Sequence, residues 1–295
     1  MKTGKRLGAL LCALAMMFAF TACNGNGSPS GATAAEILAA ADQKVAEAKS
    51  MEANMTMDMD IVMSMQGESY TMKTNTLMNM VMFNDPMKMK INMTMKLDMG
   101  DLGAAAGEME DMNMEMYIVG KDNNYTMYSN DGTGWTSEAM DLSALEQYDP
   151  QMSMGLYLKS GESFEKVGEE TINDVKTTKF TGVITSEALE EVMKSTGVAD
   201  SMGSMGMDMG ELDWEALYSD MGDMPITVWI DEAGYPVRYE MDMKDIMNKM
   251  YEKLVEQMGM AEAGIEMSCT QVKITMDCFN YDKATDFEVP AEAMQ

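Results

Sequence analysis

Histidine is missing from this chain altogether: its 295 residues contain none. That absence removes Ser-His-Asp and Cys-His catalysis together with every imidazole metal site. Cations are scarce as well, 21 Lys and Arg against 49 Asp and Glu, for a formal net charge of -28. Such a surface cannot set cations opposite phosphates, which argues against direct nucleic-acid binding. There is no Walker glycine loop and no dinucleotide fingerprint. No stretch has the alternating oxygen ligands and closing glutamate of a calcium loop, so "SNDGTGW" and "DEAGYP" read as ordinary turns. Carboxylate pairs are frequent, but a chain this acidic produces them by chance on a solvated surface. No catalytic constellation emerges, no cofactor is implied, and an enzyme is the class that the residues support least.

Cysteine is nearly as sparse, with four in the chain. Cys12 lies in an apolar N-terminal run and Cys23 just after it, which leaves Cys269 and Cys278 in "CTQVKITMDC". That stretch carries no turn signal, and as one strand it separates its two thiols by roughly 30 Å. A disulfide needs alpha carbons within about 7 Å. Both cysteines are expected to be reduced core residues.

The N-terminus reads as a targeting segment. Lys2, Lys5 and Arg6 precede an apolar run from Leu7 to Phe20, followed by Thr21, Ala22 and Cys23. Residues 1–22 are expected to be a secretory signal peptide. Small residues before a cysteine resemble a bacterial lipobox, so Cys23 is the expected lipidation site (palmitate-type acylation), although Phe20 stands where lipoboxes usually have leucine. Residues 23–32, with "NGNGSPSG", have the composition of a flexible linker between an anchor and a folded domain. These features place the protein on the extracytoplasmic face of the cell membrane, held by lipid. Acyl chains contribute ~0.8 kcal/mol per buried methylene, enough to hold an acidic protein at an anionic surface once most of the repulsion is screened.

What the chain has in excess is methionine, 42 residues. In "MKMKINMTMKLDM", residues 87–99, apolar side chains occupy every odd position and polar ones every even position. The same period of two sets Met55, Met57, Met59, Ile61, Met63 and Met65 on one face, then Tyr70, Met72, Met78, Met80 and Met82, then Met112, Met114, Met116 and Ile118. Shorter strands are predicted at 125–128, 165–172 and 176–185, with a two-residue turn at Asn173 and Asp174. "PITVWIDEAGYPVRYEMDM" is the clearest hairpin. Residues 265–281 form a last strand, whose change of parity predicts a bulge near Thr270. Helices are predicted from the capping box "TAAE" at Thr33, from Asp141 through Gln147, from Ser186, around 214–218, and after Asp242.

Three readings of the methionines stay open. They replace aliphatic residues in a closed core; or they line an adaptable apolar cavity, since methionine's flexible torsions and polarizable sulfur let a wall repack around acyl chains; or they hold Cu(I), a soft ion that takes converging thioethers. For copper the better candidate is the glycine-rich loop with Met202, Met205, Met207 and Met209. For a cavity the wall is Met55, Met57, Met59, Met63, Met72, Met78, Met80, Met82, Met89, Met93, Met95, Met112, Met114 and Met116.

The helix at 33–48 followed by "MEANMTMDM", the "GTGWTSEAMDLSAL" segment, the "VWIDEAGYPVRYEMDM" hairpin and the closing "FNYDKATDFEVPAEA" together resemble the lipoprotein-carrier superfamily, the LolA/LppX/LprG-like half-barrels. Within it the chain looks most similar to clostridial (Gram-positive) lipoproteins of unassigned function. The resemblance covers most of 33–295, expected to be one domain. It implies an α+β fold, a strongly curved, unclosed antiparallel sheet with helices packed on its concave face and an apolar cavity between. It also implies a non-catalytic carrier or binding role toward lipid or another apolar ligand. An envelope sensor with a closed core and a protein partner is the alternative within the same fold.

Overall fold

Thr33 opens the first helix as its capping box predicts. Its Oγ1 accepts the Glu36 N–H at 3.2 Å, while Glu36 Oε2 accepts the Thr33 N–H at 2.8 Å, so two otherwise orphaned donors are satisfied reciprocally. The helix, α1 (Ala34–Glu47), buries Leu38, Ala41 and Val45 along one stripe. The computed structural model describes residues 32–65, 67–84, 86–100, 111–121, 124–140, 164–195, 212–213, 216–217 and 219–295. After α1 come β1 (Ser50–Met65), β2 (Glu68–Asn84), β3 (Met87–Asp98), β4 (Met112–Lys121), β5 (Asn124–Asn130) and β6 (Trp135–Met140). The second half holds β7 (Glu165–Ile172), β8 (Val175–Ile184), α2 (Ser186–Ser195), β9 (Met224–Asp231), β10 (Pro236–Asp242), α3 (Lys244–Gln257) and β11 (Ile265–Phe279).

The strands form one 11-stranded sheet in the order β6-β5-β4-β3-β2-β1-β11-β10-β9-β8-β7. Each neighbouring pair is antiparallel. It is an unclosed meander in two arms, joined at the centre where β1 meets β11. The Thr270 bulge is present: Asp60 pairs with Gln271 and Ile61 with Cys269, so Thr270 is the unpaired extra residue. Its consequence is to bring Cys269 and Met267 back onto the face shared by Val272, Ile274 and Met276. Asn173 and Asp174 both adopt left-handed backbone (φ 48 and 65), as a two-residue hairpin turn requires.

Several element boundaries differ from expectation by a residue or two and β6 is a strand that was not expected; two further differences have a physical reason. β1 begins at Ser50, five residues before Met55, because Met51 and Ala53 continue the odd-position apolar series and are both buried. α3 is capped at Met243, which offers no side-chain acceptor, while Asp242 takes the Lys244 N–H at 3.0 Å from one position earlier. The helix expected at 141–147, most of that at 214–218, the signal, Cys23, the linker up to residue 31 and the loop of Met202 to Met209 lie outside the described residues.

Among the described residues α1, α2 and α3 all contact the same side of the sheet. Leu38, Ala41 and Val45 of α1, Leu189 of α2 and Ile246 of α3 join one core with Met51, Met82, Met89, Phe180, Val228 and Met276. Tyr251 of α3 packs on Cys269 and Val272, with Met59, Ile61 and Met267 at the margin. Cys269 and Cys278 are free and buried, as expected.

The opposite side is polar. Asn75 donates to Asp58 and Asn79 to Asn54, both at 2.7 Å, and Arg238 grips Asp277 through two bonds of 2.6 and 2.8 Å. Across this side runs the C-terminal segment after β11. The Asp282 N–H donates to the Ser50 carbonyl at 2.9 Å and the Thr285 N–H to Glu52 at 2.8 Å. Lys88 pairs with Asp286, and the Phe287 ring packs against both Phe83 and Tyr117. Among the described residues no helix is long and apolar enough to cross a membrane.

Candidate functional site

Strict alternation gives each strand one apolar side; in-register pairing then decides whether those sides meet. Here they do. The register sets Met51, Met82, Met89 and Ile118 side by side in one cross-strand row, with Ala53, Met80, Ile91 and Met116 in the next. The third row is Met276, Met55, Met78, Met93 and Met114, and the fourth Ile274, Met57, Thr76, Met95 and Met112. Val272, Met59, Thr74 and Leu97 follow, then Ile61 with Met72 and Met63 with Tyr70. Every methionine nominated from sequence as wall, Met55 through Met116, therefore falls on one face. Directly opposed residues in such a sheet stand about 4.5–5.5 Å apart at Cβ, within reach of one another's thioethers.

Cover is uneven along this face. The two rows against α1 are packed: Met89 is 1% exposed, and Met51, Ala53, Met80, Met82 and Met89 enclose only about 10 Å³ of space. From the third row onward Met55, Met57, Met59, Met63, Met72, Met78, Met93, Met95 and Met114 are half-buried, and Met112 at the margin is 47% exposed. Met116, in the second row, is half-buried too.

The rows from Met51 to Met59 contain no Asp, Glu, Lys or Arg. Their neighbours stay neutral as well. Burial pushes the Cys278 thiol up to about 12 and that of Cys269 up to about 11, and holds the Tyr239 phenol well above its ordinary value. Neither thiol is poised as a nucleophile. Two threonines of β2, Thr76 and Thr74, interrupt the wall. Thr76 is 4% exposed, and among the described residues its Oγ1 has no hydrogen-bond partner.

Sequence reasoning did not foresee a second hollow, an open cleft of about 480 Å³ between the β7–β8 and β9–β10 turns. Asn173, Val175, Tyr235, Tyr281 and Lys283 are among its lining residues, and the Tyr235 and Tyr281 rings stack at 4.4 Å. Its signal was the run of turn-forming residues after β11, where Asn280 and Asp282 both have positive φ. No group of three or more His, Cys, Asp or Glu side chains among the described residues could hold a metal ion.

A family profile described as "Family of unknown function (DUF6612)" matches residues 33–295. No curated protein matches the chain. Among solved structures, LprF from Mycobacterium bovis is similar over 90% of this chain and 100% of its own, at 16% identity and a TM-score of 0.47. The Mycobacterium tuberculosis lipoprotein LppX is similar over 85% of this chain and 98% of its own, at 12% identity and a TM-score of 0.40. At such scores the functional reading has to rest on the chain's own residues.

Proposed function

The chain belongs to the DUF6612 family, and from that premise we propose that it is a non-catalytic, lipid-anchored protein of the extracytoplasmic membrane face that binds lipid or another apolar ligand against its methionine face. The observation that carries the reading is the register. Four adjacent strands and β11 bring Met276, which is buried, and Met55, Met78, Met93 and Met114, which are half-buried, into one uncharged row. Covering an apolar surface of this kind is favourable by about 25 cal/mol per Å² removed from water. Methionine side chains can re-form their contacts around acyl chains of different shape. In this reading the methionine side is the concave one, residues 1–22 are a signal, Cys23 is acylated, and residues 23–32 tether the folded domain of 33–295 to the membrane.

Native mass spectrometry of residues 24–295, purified without detergent from a membrane-containing host, tests the binding half. A bound apolar mass that appears in the lipid extract is the expected result, and Met57→Glu, Met93→Glu and Met114→Glu abolish it while the fold is retained. A second reading is favoured by the packed rows under α1, where about 10 Å³ holds no acyl chain: an envelope interaction protein with a closed core. A wild-type protein that emerges folded and empty, and takes up no lipid on incubation, replaces the first reading with this one. For the anchor, radiolabelled palmitate is expected to label the wild-type chain and not Cys23→Ser.

A further inference from the structure

The methionine face is interrupted on one strand, by Thr76, which is buried, and by Thr74, which is half-buried. On β2 the inward series runs Met82, Met80, Met78, Thr76, Thr74, Met72, so the alternation that fixes the wall is kept while the side chain changes from thioether to hydroxyl. Thr76 lies between Met57 on β1 and Met95 on β3, in the middle strand of the row. It is almost fully buried, yet among the described residues its Oγ1 has no hydrogen-bond partner. A buried hydroxyl left unpaired forfeits the hydrogen bonds it would make in water, and valine has nearly the same shape without that cost. Retaining threonine where valine fits calls for a partner that is not part of the fold.

Building on the apolar-ligand reading above, we propose that the Thr76 hydroxyl is the polar anchor of the site and selects lipids that carry a neutral hydrogen-bonding group on an apolar chain, an acyl ester being the fitting chemistry. Thr76 Oγ1–H donates to the ester carbonyl, and the chain lies along the half-buried rows of Met55, Met78, Met93 and Met114. Charge decides between a neutral and an anionic head. No Lys or Arg lies in these rows to pair with a carboxylate or phosphate. The lysines flanking Thr76 on β2 and β3, Lys73 and Lys96, face the other side and are paired with Asp60 and Asp111. An anionic head would therefore be desolvated without a counter-charge, in a molecule whose net charge is already -28.

The test uses the full chain in phosphatidylcholine vesicles and two photoreactive probes of equal chain length, a monoacylglycerol and an alkane, each with a diazirine in the chain. Labelling of the methionine-face peptides is read by mass spectrometry against probe mole fraction. Wild-type protein is expected to reach half-saturation with the ester probe at about a five- to tenfold lower mole fraction than with the alkane, the range one neutral hydrogen bond supplies. Thr76→Val removes that preference, leaves alkane labelling unchanged, and melts higher without probe by about 1–3 °C. Thr76→Ser keeps the hydroxyl and keeps the preference, which separates hydrogen bonding from shape. A preference that survives in Thr76→Val, or is lost in Thr76→Ser, overturns the anchor while leaving the apolar site standing. A methionine face that neither probe labels overturns the apolar-ligand reading and this inference with it.

Discussion

Met89 and Met112 show how far the meaning of one residue type changes with its row. Met89 is 1% exposed in the core that the sheet shares with α1, so Met89→Ala leaves a cavity and is expected to cost about 2–5 kcal/mol, read from chemical denaturation midpoints. Met112 stands 47% exposed at the margin, and Met112→Ala is expected to change stability by no more than about 0.5 kcal/mol. The two buried thiols provide a pH test. Their folded pKa values are raised, to about 11 for Cys269 and about 12 for Cys278, by loss of solvent around the charged form. Above the ordinary thiol range the unfolded chain releases these protons while the folded chain keeps them. The unfolded state then binds fewer protons, and stability falls as pH rises from about 9. Cys269→Ala/Cys278→Ala is expected to flatten the alkaline slope of the unfolding free energy between about pH 9 and 11. A slope identical to wild type removes the thiols from the explanation.

At the scale of elements, the C-terminal segment behaves as a strap. It satisfies the Ser50 carbonyl and Glu52, places Phe287 on Phe83 and Tyr117, and buries Ala293. Ending the chain after Phe279 removes all of these contacts and leaves the Phe83 and Tyr117 rings facing water. A fall in melting temperature by more than about 5 °C is expected for this truncation, and an unchanged melting curve would remove the strap from the stability account. Most elements were legible in the sequence because their signals are local. A strict period of two marked β1 to β4, a capping box marked α1, a pair of turn residues marked the β7–β8 hairpin, and a change of parity located Thr270. What local patterns could not supply was partnership. Nothing near Ser50 signals that β1 will lie beside β11, and the cap of α3 shifted by one because Asp242 also ends β10. The candidate site was legible as a face, and its gradient of cover was not, since that depends on where α1 and α3 sit on the sheet. The break at Thr76 was visible in the alternation, but only burial shows that its hydroxyl is unpaired.

Among the described residues charge sits on the polar side and edges of the sheet and on the helices, while the methionine rows from Met51 to Met59 are neutral. A net charge of -28 destabilises the compact state through self-repulsion, and added salt screens it. Raising sodium chloride from about 20 to about 500 mM is therefore expected to raise the melting temperature, even though exposed pairs such as Lys73–Asp60 and Lys96–Asp111 weaken at the same time. Exposed pairs are worth little individually, so the global repulsion outweighs them.

The pairing of β1 with β11 has a bearing on the order in which the molecule can assemble. These two long strands form the centre of the sheet, and some 200 residues of chain separate Met57 from its partner Ile274. The first arm can zip from one hairpin to the next as soon as it is made, but its leading strand keeps one hydrogen-bonding edge open until the final strand arrives. Closure is thus a late, non-local event whose loop entropy must be met before its contacts form. Throughout that interval the methionine face is without its full complement of neighbours, and the growing chain is most exposed to wrong partners at the strand that will end up best protected.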